Sequence, residues 1–201
     1  MKLTLVDYGA GNLPSVERAF ERLGAPTCRA TRGEDLAGAE AIVLPGVGHF
    51  GALARALACN DLGPVLRMAL ERGVPMLGIC LGLQALFESS EEAPAEAGLG
   101  WIPGVVRPLP ANVKLPHMGW NRLRRVHPSR LLAGIPEDAW FYFAHSYGAS
   151  EGGETTVAVC DYGESFAAVI ERDRLAAVQF HPEKSGESGS AVLRNFLELA
   201  R

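Results

Sequence analysis

No stretch of this 201-residue sequence approaches the ~20 consecutive apolar residues that a bilayer-spanning helix needs. The opening MKLTLVDYG has neither the long apolar segment nor the cleavage site of a secretory signal. Both absences point to a cytoplasmic protein without membrane contact. Neither sign of charge is in large excess. Nineteen basic side chains, mostly arginine, face 23 acidic ones, for a net charge of −4, so the bulk balance offers no electrostatic footprint for nucleic acid. Cysteine is sparse: Cys28, Cys59, Cys80 and Cys160 are scattered and form no CxxC pair. In a reducing compartment they are expected as thiols, which excludes a disulfide framework and a zinc site, and no metal is expected. Repeats and long linkers are also missing. With 48% apolar and 21% charged residues, the composition is that of a soluble globular protein, expected as one domain spanning residues 1–201.

The first half alternates between two periods. LTLV (3–6), AIVLPG (41–46) and VPMLGIC (74–80) are near-continuous apolar runs, with PTCRA (26–30) as a weaker strand. Between them, PSVERAFERLG (14–24) has Pro14 at a helix start, Gly24 as a stop and apolar residues at helical spacing. FGALARALAC and GPVLRMALERG also read as helices, and LGLQALFESS (81–90) as another after the third strand. The pattern predicts an α/β fold: a central, mostly parallel sheet covered by helices on both faces. The second half changes rhythm. GVVRPLP, WNRLRRV, AWFYFAHSY, TTVAVC, FAAVIE and RLAAVQF read as short strands between turns, predicting antiparallel additions. A last helix is expected over SGSAVLRNFLELA, capped by Ser188 or Ser190. ESSEEAPAEAG (88–98) reads as a solvated surface turn.

The chemistry concentrates where apolar strands break. GICLG places Cys80 between Gly78 and Gly82, with a strand before it and a helix after it. This is the pattern of a nucleophile elbow with sulfur in place of oxygen. The glycines permit the close approach of strand and helix that such a bend forces. The helix N-terminus favours a thiolate, and the Leu81 N–H is placed to hold an oxyanion. A thiol nucleophile needs a base. In AAVQFHPEKS, His181 follows the last apolar strand, and Glu183 two residues on points the same way at a strand end, placed to fix its tautomer. Pro182 ends the strand. A second oxyanion donor is offered by LPGVGHF (44–50), where main-chain N–H groups of Val47 and Gly48 can turn inward. His49 reads as a surface or packing histidine.

PGVG, GICLGLQ and FHPEKS, in this order and spacing, resemble the class I (triad-type) glutamine amidotransferases, a flavodoxin-like α/β fold, over the whole chain. VDYGAGNLPSV, PGVGHF, LPHMGWN and FYFAHSY narrow the resemblance to the glutaminase subunits of imidazole glycerol phosphate synthases. The resemblance implies glutamine hydrolysis through a thioester on Cys80 and delivery of ammonia to a separate (β/α)8-barrel cyclase subunit in a heterodimer, without a cofactor. It carries over Gln84, Gly48, His145, Ser146 and Tyr147 as glutamine contacts and Asn12 as an interface residue. Trp120 and Tyr142 are aromatic candidates for that interface, and Lys184 a cation for an acid on the barrel. YGAGN lacks the third glycine and the ribose acid of a dinucleotide loop. Three other readings stay open: a triad subunit feeding a different synthase, a stand-alone cysteine hydrolase or peptidase, and a non-enzymatic flavodoxin-like binding module. Partner-dependent glutaminase activity and thiol reactivity distinguish them.

Overall fold

The computed structural model describes residues 1–9, 12–150 and 153–200. In chain order the elements are β1 (Leu3–Val6), α1 (Leu13–Arg22), β2 (Thr27–Ala30), β3 (Ala41–Gly46), α2 (Phe50–Cys59), α3 (Leu62–Glu71), β4 (Met76–Cys80), α4 (Leu81–Gln84), β5 (Phe87–Ser90), β6 (Ile102–Pro108), β7 (His117–Arg122), β8 (Arg124–Arg125), β9 (Trp140–His145), β10 (Tyr147–Ala149), β11 (Thr156–Tyr162), β12 (Glu164–Arg172), β13 (Leu175–Val178) and α5 (Gly186–Leu199). Short 3-10 turns cover Gly33–Leu36 and Pro182–Lys184.

Among the described residues the main sheet has eight strands in the order β2-β1-β3-β4-β13-β12-β11-β8. The run from β2 to β13 is parallel, and β12, β11 and β8 extend it antiparallel. β1, β3, β4 and β13 are buried at every position, because alternate side chains feed two cores. Leu3, Leu5, Val43, Leu77 and Ile79 pack with Val16 and Phe20 of α1 and Val192 and Phe196 of α5. Val6, Ile42, Leu44 and Met76 pack with Leu53 and Leu57 of α2 and Leu62 and Leu66 of α3. Helices therefore cover both faces, the arrangement that stabilises a parallel sheet. From β1 the chain goes to β2 on one side and β3 on the other. The crevice beyond the carboxyl ends near such a switch point is where open α/β sheets place their ligands.

Four local expectations differ from the structure. The helix expected over residues 81–90 lasts one turn, Leu81–Gln84; Phe87–Ser90 instead forms β5, parallel to β6. Every residue from Leu81 to Phe87 is buried, so the segment has no solvent face to sustain an amphipathic helix, and its short apolar run suits a strand as well. The turn after β5 is not merely solvated: Glu92 Oε2 accepts from Phe50 N at 2.7 Å, capping α2, and Arg55 pairs with Glu96 at 2.6 Å. α5 begins at Gly186 without a side-chain cap, and Ser190 Oγ donates to Gly186 O at 3.0 Å instead. WNRLRRV divides between β7 and β8, which belong to different sheets. Of the YGAGN loop, Ala10 and Gly11 lie outside the described residues.

Candidate active site

Four adjacent parallel strands end at one place. Tyr8 follows β1, Val47 follows β3, Cys80 closes β4, and Gln179 and His181 follow β13. Cys80 sits at φ 54°, ψ −107°, a conformation that side-chain-bearing residues rarely adopt. Strain of this kind persists where the surroundings over-determine it. The surroundings here are glycine contacts. A Cβ on Gly82 would lie 1.9 Å from Leu44 O, and one on Gly78 would lie 2.8 Å from Gly82 O. A Cβ on Gly46 would meet Leu81 Cβ at 2.7 Å. The elbow is therefore pressed onto β3 and β4 by three positions where a side chain has no room.

His181 is buried, and its Nδ1 lies 2.9 Å from Glu183 Oε1, whose side chain is also buried. A carboxylate only accepts, so Nδ1 carries the proton and Nε2 is left for Cys80, whose charge acts on the ring. Burial opposes the charged imidazole, but Cys80 and then Glu183 outweigh it and raise the His181 pKa well above its ordinary value. His181 is not on a strand: β13 stops at Val178, and the 3-10 turn begun by Pro182 swings Glu183 back beneath the ring. Ser185 fixes this turn, its Oγ donating to His181 O at 2.7 Å and accepting from Tyr142 N at 2.9 Å. Gly189 lets α5 close against it, since a Cβ there would lie 2.0 Å from Pro182 O.

One small cavity, about 80 Å³, is lined by Val47, Gly48, Cys80, Leu81, Gln84, Ala144, His145, Ser146 and Tyr147. The Leu81 N–H begins α4 and so has no acceptor within that helix. The Val47 N–H is already engaged: it donates to the Tyr8 hydroxyl at 3.0 Å, and the same hydroxyl donates back to Val47 O at 3.0 Å. Burial pushes the Tyr8 hydroxyl up to about 12 against the opposing Val47 contact, with Cys80 and Asp7 adding to the rise. Gly48 follows at φ 102°, in the region that favours glycine. Gln84 Nε2 donates to Tyr147 O at 2.7 Å and to Gln179 Oε1 at 3.1 Å, so both its N–H groups are committed.

A buried histidine pair backs the cavity. His145 Nδ1 donates to Tyr147 O at 2.8 Å, so its Nε2 accepts from His117 Nδ1 at 3.2 Å. His117 Nε2 in turn accepts from Asn121 Nδ2 at 3.4 Å. Burial holds both rings neutral, His145 down to about 3 and His117 to about 4. His117, Asn121, Tyr8, Gln179 and Ser185 escaped the sequence reading. Gln179 stands as a polar residue inside an otherwise apolar run, and Tyr8, His117, Asn121 and Ser185 lie within YGAGN, LPHMGWN and FHPEKS.

Alternate residues of the β7–β9 ribbon face outward. Trp120 is 52% exposed and stands edge-on to Tyr142 at 5.9 Å, with Met118 and Trp140 also exposed. Lys184 Nζ lies 5.7 Å from the Tyr142 ring. Asn12 precedes α1, which packs against the Pro182–Lys184 turn, and its Oδ1 accepts from Ser15 Oγ at 2.8 Å. His49 is exposed and caps α2, its Nδ1 accepting from Gly51 N. No group of metal-ligating side chains occurs among the described residues, and no described helix is long and apolar enough to cross a membrane.

Residues 4–200 match the family model of the class-I glutamine amidotransferases. The imidazole glycerol phosphate synthase subunit HisH of Methanothermobacter thermautotrophicus is 48% identical over 199 residues, 99% of each chain. The protein of the same name from Moorella thermoacetica is 47% identical over 200 residues, 99% of this chain and 95% of that one. Among solved structures, PurLQS from Thermotoga maritima superposes with a TM-score of 0.79 at 21% identity, over 100% of this chain and 99% of that one, a likeness of fold. The chain belongs to the class I glutamine amidotransferase family, in the group of the HisH subunits of imidazole glycerol phosphate synthase.

Proposed function

We propose that this chain, acting as one amidotransferase domain, is a glutaminase in which Cys80 is the nucleophile, His181 the acid–base and Glu183 its anchor. It is the glutaminase subunit of an imidazole glycerol phosphate synthase and serves histidine biosynthesis. The observation that carries the site assignment is the buried line from Cys80 through His181 to Glu183 at the mouth of four parallel strands. The sulfur of a thiolate–imidazolium pair attacks the side-chain carbonyl carbon of glutamine. Leu81 N–H holds the developing oxyanion. Collapse breaks the C–N bond, and His181 Nε2–H protonates the nitrogen as ammonia leaves. The thioester on Cys80 is then hydrolysed by a water whose proton returns to His181, releasing glutamate and restoring the pair.

The Val47–Gly48 segment is the source of a second oxyanion donor. With the Val47 N–H held by Tyr8, it stands in a resting arrangement, and a peptide flip at Gly48 would bring an N–H to the site. One such donor is worth about 3–4 kcal/mol in the transition state. Gln84, His145, Ser146 and Tyr147 hold the substrate; Gln84 does so through its oxygen, because its N–H groups are committed. The face formed by exposed Trp120 and Lys184 and half-buried Tyr142, with Asn12 beside it, receives a (β/α)8-barrel cyclase that consumes the ammonia, in a heterodimer in the cytoplasm. The test is an acid quench during turnover followed by peptide mass spectrometry: a γ-glutamyl adduct on the Cys80 peptide is expected, and an adduct confined to another residue would refute the assignment.

A further inference from the structure

Gln179 is fully buried, two residues before His181. A buried amide is costly unless both its ends are paired, and its pairing here has only one solution. The Tyr147 carbonyl can only accept, so the Gln84 atom 2.7 Å from it is the amide nitrogen. The second hydrogen of that nitrogen faces Gln179 at 3.1 Å, so Gln179 presents its oxygen there. Its own nitrogen is thereby turned to Cys80 Sγ, 3.6 Å away, a normal length for a bond to sulfur.

We infer that Gln179 is a positioning residue of the nucleophile, and that the Gln84–Gln179 pair ties the aim of the Cys80 sulfur to the segment carrying Tyr147. The inference rests on the reading of Cys80 as nucleophile. Within one cycle the sulfur is twice a thiolate, first as attacking group and then as the group expelled when the thioester is hydrolysed. His181 Nε2 must also turn to the departing nitrogen and then to the attacking water, so the sulfur gains from a donor that takes no part in proton transfer. A carboxamide N–H has no proton to surrender at any working pH, so Gln179 holds the sulfur without quenching it. Because Gln84 touches both the Tyr147 carbonyl and Gln179, a shift of the substrate-holding segment is passed to the nucleophile through two amides.

The test uses the full chain in its complex with the cyclase. Gln179→Met keeps the bulk and removes the donor. It is expected to lower kcat for glutamine hydrolysis at least about tenfold, the loss of one hydrogen bond to a charged group, while KM for glutamine stays at its original value. Alkylation of Cys80 by iodoacetamide, read on its own peptide so that the exposed Cys28 and Cys59 do not contribute, should slow in parallel. Gln179→Glu keeps the acceptor for Gln84 but turns oxygen toward the sulfur, and should lose at least as much. Original kcat in both Gln179 variants, or a change confined to KM, overturns the proposal. So does loss of folding in both, which would make Gln179 a structural residue only. Cys80→Ala is run alongside: if it still hydrolyses glutamine, the nucleophile assignment itself is wrong, whereas an inactive Cys80→Ala beside unimpaired Gln179 variants removes the positioning role alone.

Discussion

His181 and His145 are close enough to influence each other's charge, yet they are driven to opposite states. Burial disfavours the cation in both. At His181 a sulfur and a carboxylate reverse that penalty, and at His145 a carbonyl does not. His181→Asn should therefore cost at least about 100-fold in glutaminase rate, the low end of acid–base effects. Glu183→Gln should cost less, because an amide oxygen can still accept from Nδ1; steady-state rates of the two variants decide the order. The pH dependence of stability follows with its sign. The raised His181 contributes stability that is complete below its ordinary value near 6.5 and fades only as pH rises through its higher folded value, so it adds no slope on the acid side. His117 and His145 refuse protons that the unfolded chain takes up near 6.5, so stability falls as pH drops from about 6.5 toward 4. Two such sites give at most about 2.7 kcal/mol per pH unit. Carboxylates held low by partners, Glu17 by Arg29 and Asp35 by the Thr31 amide, act only below their ordinary values near 4. Denaturant titrations between pH 6.5 and 4.5 should thus show the histidine slope, halved in His117→Gln. At this scale the proposed reactive groups were legible because each sits where an apolar run breaks. Gln179 and Tyr8 were not, because their partners lie 95 and 39 residues away in sequence.

The elbow is an element made of close approaches more than of helix. An extended helix after Cys80 would bring a macrodipole, but α4 is a single turn. Its contribution reduces to the unpaired N–H groups of its start, which act only at contact range. What fixes Cys80 at φ 54° is the pressure of β3 and β4 on the turn. Gly82→Ala would drive a Cβ to 1.9 Å from Leu44 O, and backbone on both sides must move. The expected outcome is a loss of about 1–3 kcal/mol of stability by chemical denaturation and loss of glutaminase activity that added glutamine does not restore. An active, equally stable Gly82→Ala chain would mean the elbow can open without harm. The parallel half of the sheet was legible because strands buried on both faces read as continuous apolar runs. β5 was hidden because Leu81–Phe87 is buried throughout and apolar apart from Gln84, and such a run carries no period to separate strand from helix. The splitting of WNRLRRV was hidden for another reason: only Leu123 separates β7 from β8, and a sequence does not say which sheet receives each.

Across the whole molecule, the Pro182–Lys184 turn joins two surfaces. Glu183 points inward, its side chain 1% exposed, while its neighbour Lys184 points out beside Tyr142. Ser185 binds the same turn to β9 through Tyr142 N. The proposed reacting groups are thus one residue away from the aromatic face proposed for the cyclase, and ammonia would be made beside the surface that passes it on. That division of labour, with glutamine cleaved in this chain and ring closure in its partner, is the central claim. The measurement that tests it most directly is synthesis by the complex carrying Cys80→Ala, supplied in parallel with glutamine and with ammonium. The account predicts no synthesis from glutamine and undiminished synthesis from ammonium. Synthesis from glutamine at the original rate, or equal loss with both nitrogen sources, would contradict it.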